Sequence, residues 1–220
     1  CIRDSYSLWS YKGYNKQMKS ITPREQTLRW IGLLLLATAV AACTSTSPPS
    51  RFYVLTPVAR TTDTSAPELT IGMGPVRLPA YLDRSQMVSQ TDANQLQMDE
   101  FERWAGGLSP NINDVMAENL SRMLGTDKVV THPWARAVPV QYQVVLDIRR
   151  FDVTQDNEVY LLAQWRLFTD NGKKLLEIKR TELVQPVNGA GYSARAAAQS
   201  VALAELARQI AESIRQHAAA

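Results

Sequence analysis

The residue of this 220-residue chain with the most distinctive chemical setting is Cys43, which ends an apolar run from Trp30 and precedes an abrupt change to the polar stretch Thr44–Ser50. Val40-Ala41-Ala42-Cys43 resembles the bacterial lipobox, in which a branched apolar residue and two small ones precede a cysteine that is diacylated and becomes the new N-terminus. The 13 uncharged residues before Cys43 are too few for a bilayer span, which needs about 20, but suit the apolar core of a secretory signal. Lys19, Arg24 and Arg29 supply the positive flank. The competing reading is an ordinary buried thiol in an alanine-rich helix. It fails on order: basic flank, short apolar run, small-residue gate and polar tether follow one another as an export signal requires.

Other chemistry is thinly represented. The two histidines are His132, beside Pro133, and His217, three residues from the C-terminus, and they supply neither a multi-histidine metal site nor a supported triad. The chain has no Gly-x-Ser-x-Gly elbow and no Gly-rich lysine loop. Asp99, Glu100 and Glu102 are close in sequence, but carboxylates on a short turn are most often solvated charges, and a fixed two-carboxylate separation does not follow from them. Among the tryptophans, Trp165 fits a strand alternation and reads as core. Trp104 and Trp134 read as loop residues and better contact candidates. These residues predict no enzyme, no cofactor and no metal.

Charge and length place the working part of the chain after Cys43. Met18 is the first methionine, and Met18–Ala42 makes a 25-residue leader, so residues 1–17 read as an upstream extension and 18–42 as a signal peptide. Six of the 24 Lys/Arg but only two of the 21 Asp/Glu lie in residues 1–42, which leaves 18 basic and 19 acidic side chains beyond them. The alkaline pI therefore belongs to the leader, and nucleic acid is not an expected partner. Residues 43–50 read as lipidated cysteine and tether, and residues 51–220 as one domain with a single core. That domain has no cysteine for a disulfide.

The elements that must carry any site follow from periodicity. Arg51–Pro57 and Leu69–Met73 read as strands, with Gly72-Met73-Gly74-Pro75 ending the second. Gln86–Gln90 with a return over Asn94–Met98 reads as a hairpin. Ser109-Pro110 reads as the N-cap and first turn of a helix that carries Ile112, Val115, Met116, Leu120, Met123 and Leu124 on one face and stops at Gly125. Val138–Phe151, Val159–Phe168 and Leu175–Val184 read as a three-strand meander. Val159, Leu161, Ala163, Trp165 and Leu167 face inward, and Asp170-Asn171-Gly172 makes the second turn. A last helix over Ser193–Gln216 carries the stripe Val201, Leu203, Ala204, Leu206, Ala207, Ile210 and Ile214. The expected fold is α+β: an antiparallel or mixed sheet of five to seven strands with two helices packed on one face.

Five stretches together resemble the PqiC (YmbA) lipoproteins. They are the lipobox, Arg51-Phe52-Tyr53-Val54-Leu55 soon after it, the Leu78–Val88 run, Phe101-Glu102-Arg103-Trp104-Ala105, and Ala117-Glu118-Asn119-Leu120. Gly106-Gly107-Leu108 departs from the acidic residue and proline that follow the Arg-Trp-Ala run in that family. The resemblance implies a non-enzymatic auxiliary subunit of an intermembrane lipid transport system that supports envelope integrity. It implies a periplasmic mammalian-cell-entry-domain protein as partner, phospholipid as a candidate ligand, and an outer-membrane location on the periplasmic face. Thr44 stands where an aspartate would signal inner-membrane retention. The alternative is an outer-membrane assembly or cell-wall accessory lipoprotein that binds a protein or glycan. Tyr81, Arg84, Arg103 and Trp104 are the expected partner contacts, since aromatic and Arg side chains anchor such surfaces. A homo-oligomer is expected, because one interface repeated around an axis builds a closed assembly.

Overall fold

The computed structural model describes residues 47–60, 69–135 and 137–219, with positions 23, 24, 27, 28, 30 and 31. Cys43 and nearly all of the proposed signal and tether lie outside the described residues. The chain divides into two compact units, Cys1–Ser47 and Pro48–Ala220. In the first, positions 23, 24, 27, 28, 30 and 31 are helical, and Thr27 Oγ1 donates to the Pro23 carbonyl at 3.2 Å.

The second unit is α+β, as the periodicities predict. Its strands are β1 (Arg51–Tyr53), β2 (Ile71–Arg77), β3 (Gln86–Asp92), β4 (Gln95–Trp104), β5 (Val129–Thr131), β6 (Tyr142–Val153), β7 (Glu158–Thr169) and β8 (Lys174–Pro186). Its helices are α1 (Leu108–Leu124) and α2 (Gly191–Ala218). The strands form one mixed sheet of eight, one more than the upper expectation, with the three-residue β5 as the strand that periodicity does not reveal. β6, β7 and β8 form the antiparallel meander. The other edge of β6 is shared: β2 runs parallel to its first half and continues to β5, while β3 meets its end at Ser89–Val153 and continues through β4 to β1.

The meander and helices make the core. Val159, Leu161, Ala163, Trp165 and Leu167 are completely buried at alternate positions of β7, against Leu203, Leu206, Ile210 and Ile214 of α2 and Ile112, Met116 and Leu120 of α1 in the same cluster. Small residues of α2, among them Ala202, Ala207 and Ala211, are equally buried and let the helix approach closely. Trp165 Nε1 donates to Thr181 Oγ1 at 3.1 Å, and Thr181 Oγ1 donates to Gln209 Oε1 at 3.0 Å, so the indole N–H is satisfied inside the core. Val201 departs from the expected stripe and is 40% exposed. It sits two residues from Leu203, about half a turn away at 3.6 residues per turn.

Three local expectations are corrected. β2 does not end at Gly74-Pro75 but continues to Arg77, because a register shift between Met73 and Val76 absorbs the proline that cannot donate to the ladder. β4 runs on through Phe101–Trp104, so that segment is strand and not loop. α1 starts at Leu108, before Ser109, with Gly107 at φ 88° as its N-cap and no side-chain cap. Asn111 does the fastening, its Nδ2 donating to the Ala105 and Gly107 carbonyls at 2.6 Å each. Gly106 and Gly107 both have positive φ, 76° and 88°, a turn that other residues adopt at a cost.

β6 carries a second irregularity. Ile148 pairs with Ala163 and Arg150 with Leu162, which leaves Arg149 as an extra residue in a bulge. Inward parity therefore passes from Val144, Leu146 and Ile148 to Phe151 and Val153. Two consecutive arginines mark the place where the alternation changes.

Candidate functional site

β1 is three residues long, yet it opens the folded unit on the C-terminal side of the proposed tether. Its parallel pairing with the end of β4 sets Arg51 opposite Glu102, Phe52 opposite Arg103 and Tyr53 opposite Trp104. Glu102 and Trp104, two residues apart on one strand face, are both buried, 5% and 3% exposed. A carboxylate on a core face is costly unless it is paired and hydrogen-bonded. Glu102 is both: Arg51 donates to Oε1, and Tyr53 Oη donates to Oε2 at 2.7 Å.

The cluster extends to α2. The rings of Tyr53 and Tyr192 lie 6.2 Å apart, Tyr192 Oη donates to Asp99, and the Arg195 guanidinium sits 4.7 Å over the Tyr192 ring. Burial first, and then the hydrogen bond to Asp99, push the Tyr192 hydroxyl up to about 12. The hydrogen bond to Glu102, then burial, raises Tyr53. Both phenols therefore stay protonated as donors. The arrangement can hold β1 against β4 and α2, but the donors occupy the carboxylates and leave no activated nucleophile. Among the described residues no group of His, Cys, Asp and Glu is placed to hold a metal, and no helix is long and apolar enough to cross a membrane.

The opposite face of this edge is apolar and open. Phe52 is 64% exposed, and Val54 and Phe101 are exposed with it. Arg103 lies beside Phe52, its Nε donating to the Glu100 carbonyl at 2.8 Å and its Nη2 3.5 Å from the Glu100 carboxylate. Leu96 and Met98 are exposed further along β4. β1 pairs with β4 alone among the described strands, so its outer edge also offers unpaired backbone groups.

The family model for ABC-type transport auxiliary lipoprotein components matches residues 53–211. The chain belongs to this family. It is the PqiC-like family that the sequence motifs imply, and it describes an auxiliary transport component, not an enzyme, from a class of membrane-anchored envelope lipoproteins. Protein XCC0632 from Xanthomonas campestris has the same fold, with TM-score 0.63 at 13% identity over 77% of this chain and 100% of that one. A crystal structure described only as an uncharacterised protein matches with TM-score 0.62 at 20% identity over 76% of this chain and 99% of that one. No curated protein matches the chain by sequence.

In this auxiliary lipoprotein the four expected contact residues do not form one patch. Trp104 is part of the core, its backbone N–H bonded to the Ser85 carbonyl at 2.7 Å, so the reading of Trp104 as a loop-borne contact is corrected. Arg103 stays on the outer face of the β1–β4 edge. Arg84 reaches the Met98 sulfur, while its Nε is buried without a partner. Tyr81 turns toward the β6 bulge, its hydroxyl 3.5 Å from the Arg149 carbonyl and pushed up to about 12 by burial and then by Asp152. Trp134 covers Gly72, where a Cβ would fall 2.7 Å from its ring, and is half-buried there. Sequence reasoning missed the Glu102 cluster. The available signal was parity, because an acidic residue two places before a core tryptophan faces the core and needs partners.

Proposed function

We propose that this lipoprotein is anchored through Cys43 to the periplasmic face of the outer membrane and serves there as a non-enzymatic subunit of a mammalian-cell-entry-type intermembrane lipid transport system. It assembles with copies of itself and with the periplasmic mammalian-cell-entry-domain protein through the β1–β4 edge. The observation that carries this reading is the exposed group of Phe52 on β1, whose outer edge is free among the described strands, Val54 just after it and Phe101 on the neighbouring β4. Phe52 follows Cys43 by nine residues. A tether of Thr44–Ser50 reaches at most about 25 Å at 3.3–3.6 Å per residue, so this edge stays close to the anchoring membrane.

The clamp behind this group supports the same reading. Arg51, Tyr53 and Glu102 fix β1 so that Phe52 is presented on a rigid element, which lowers the ordering cost of binding. The surface grooves of the domain, 380 to 580 Å³, fall in the range that encloses a drug-sized ligand. They suit recognition of part of a lipid better than storage of a whole one.

Covalent crosslinking in intact envelopes, followed by purification of this lipoprotein, tests the assignment. Retrieval of a mammalian-cell-entry-domain protein through β1–β4 residues is expected. Retrieval of outer-membrane assembly factors or cell-wall glycan in its place would overturn it in favour of the accessory role. Cys43→Ser is expected to release the protein from the membrane fraction, since two or more acyl chains are needed for stable attachment. An unmodified Cys43 in the intact mass of membrane-extracted protein would contradict the anchor.

A further inference from the structure

A second surface, separate from the β1–β4 edge, collects positive charge where the sheet is most irregular. A groove of 580 Å³ is lined by Arg77 at the end of β2, the following Leu78 and Pro79, Asp147 and Arg149 of β6, and Arg166 of β7. Both strands that supply its upper rim are bulged just there. The register of β2 shifts between Met73 and Val76, immediately before Arg77, and that of β6 shifts between Ile148 and Arg150, which leaves Arg149 outside the ladder. Bulges bend a strand and re-aim a side chain. Here they bring guanidinium groups from two strands toward the same groove.

The charges do not cancel. Asp147 is the one carboxylate among the lining residues. Its Oδ2 takes Arg166 in a close ion pair, whereas Arg77 stands 3.7 Å from Oδ1 and is 66% exposed. The Arg149 guanidinium has no hydrogen-bond or ion-pair partner among the described residues; only its carbonyl is engaged, by Tyr81. Arg166 Nε is buried without a partner. An internal salt bridge that ties β6 to β7 accounts for Arg166 and Asp147, but not for the unpaired Arg149 or the loosely held Arg77. Three cations facing one anion leave a net double positive charge.

From this geometry we infer that the Arg77–Arg149–Arg166 groove binds a phosphate group. Guanidinium forks match phosphate oxygens, and charge-assisted bonds of this kind are the strong ones. A planar carboxylate offers two oxygens in one plane, and Asp147 already fills that role for Arg166. A tetrahedral phosphate presents oxygens in several directions and so accepts from arginines that arrive from β2, β6 and β7. Leu78 and Pro79 complete the lining with apolar surface beside the arginines. The chemistry is shared by free phosphate and by the phosphodiester of a lipid headgroup.

The test is a phosphorus NMR titration of the full chain in detergent micelles, at fixed ionic strength, with inorganic phosphate and with glycerophosphoglycerol, the deacylated headgroup of a common phospholipid. A glutamate-rich peptide competes in parallel samples. Saturable binding is expected, weakened about tenfold or more in Arg149→Ala and Arg77→Ala, the range expected for loss of one hydrogen bond to a charged group. The melting temperature of both variants should be unchanged. Preference for glycerophosphoglycerol assigns the site to a headgroup, and preference for inorganic phosphate assigns it to the free ion; either supports a phosphate site. No saturable binding of either probe, binding that both variants leave intact, or displacement by the glutamate peptide at lower concentration than either probe would overturn it. None of these outcomes bears on the β1–β4 assembly, whose residues lie elsewhere.

Discussion

The β6–β8 meander and the β1–β4 edge belong to one sheet but stabilise it in opposite ways. In the meander every inward position of β7 is apolar and completely buried, and the Trp165 N–H is satisfied inside the core through Thr181 and Gln209. At the edge the inward positions alternate between Trp104 and a carboxylate, and the carboxylate is tolerated because β1 and its neighbours bring Arg51 and Tyr53 to it. The meander is held by packing, and its outer strand β8 mixes charged side chains with exposed Leu175, Ile178 and Val184. The edge is held by a polar clamp, and its outer face sets Phe52 and Phe101 beside Arg103. What sets the edge apart is the buried carboxylate that clamps its short strand, with Phe52 carried on that strand.

The largest expected effects probe whether the two regions share one core. Trp165→Ala should cost about 3–5 kcal/mol, the usual range for an aromatic removed from a full core, and it also takes away the donor to Thr181. Denaturant unfolding measures it; a loss under about 1 kcal/mol would mean that the meander is not the packing centre. Trp104→Ala should fall at the lower end of the same range, because Trp104 closes the core beneath the edge. If that variant kept its stability and lost an association, Trp104 would be a contact after all.

Those two tryptophans show how far the sequence could be read. Trp165 lies in an unbroken alternation between two local hairpins, so its face was legible from its neighbours alone. Trp104 ends a strand whose partners are β1, some 50 residues away, and β3 across an irregular register. Its segment looked like loop because Glu100 and Glu102 interrupt the apolar pattern. β5 and the continuation of β2 past Gly74-Pro75 were hidden for the same reason: parallel pairing and bulges depend on distant chain, not on local period. The helices were legible in their apolar faces, while the start of α1 depended on the Asn111 contacts that no spacing encodes.

Intermediate effects separate clamp from packing. Glu102→Gln removes the charge that holds Arg51 and should cost about 1–3 kcal/mol, moderated because the freed Arg51 head is exposed and returns to water; Arg51→Ala should cost more, since it leaves the buried Glu102 carboxylate without its counter-charge. Thermal melts of the two single variants and the double variant measure the coupling; strict additivity would mean that the pair contributes nothing.

Tyr192 gives a pH-dependent effect. Its folded-state value, raised to about 12, lies above the ordinary tyrosine value of 10.0, so the unfolded chain loses that proton first. The contribution is fully present below pH 10 and is lost as pH rises toward about 12. Tyr192→Phe should flatten the decline of stability across that window, and an unchanged profile would contradict the burial of its hydroxyl. The smallest effect is expected at Val201, exposed on α2, where Val201→Ala should stay within about 0.5 kcal/mol of the parent.

The central claim is that the apolar face of the β1–β4 edge is an assembly surface on a rigid clamp. Sedimentation equilibrium of the full chain in density-matched detergent tests it most directly, with and without the mammalian-cell-entry-domain partner. A mass above one chain is expected for the parent, and Phe52→Asp combined with Phe101→Asp should return it to one chain with an unchanged melting temperature. A parent that remains strictly monomeric with and without the partner, while extracting phospholipid at one molecule per chain, would contradict the account and make the protein a carrier.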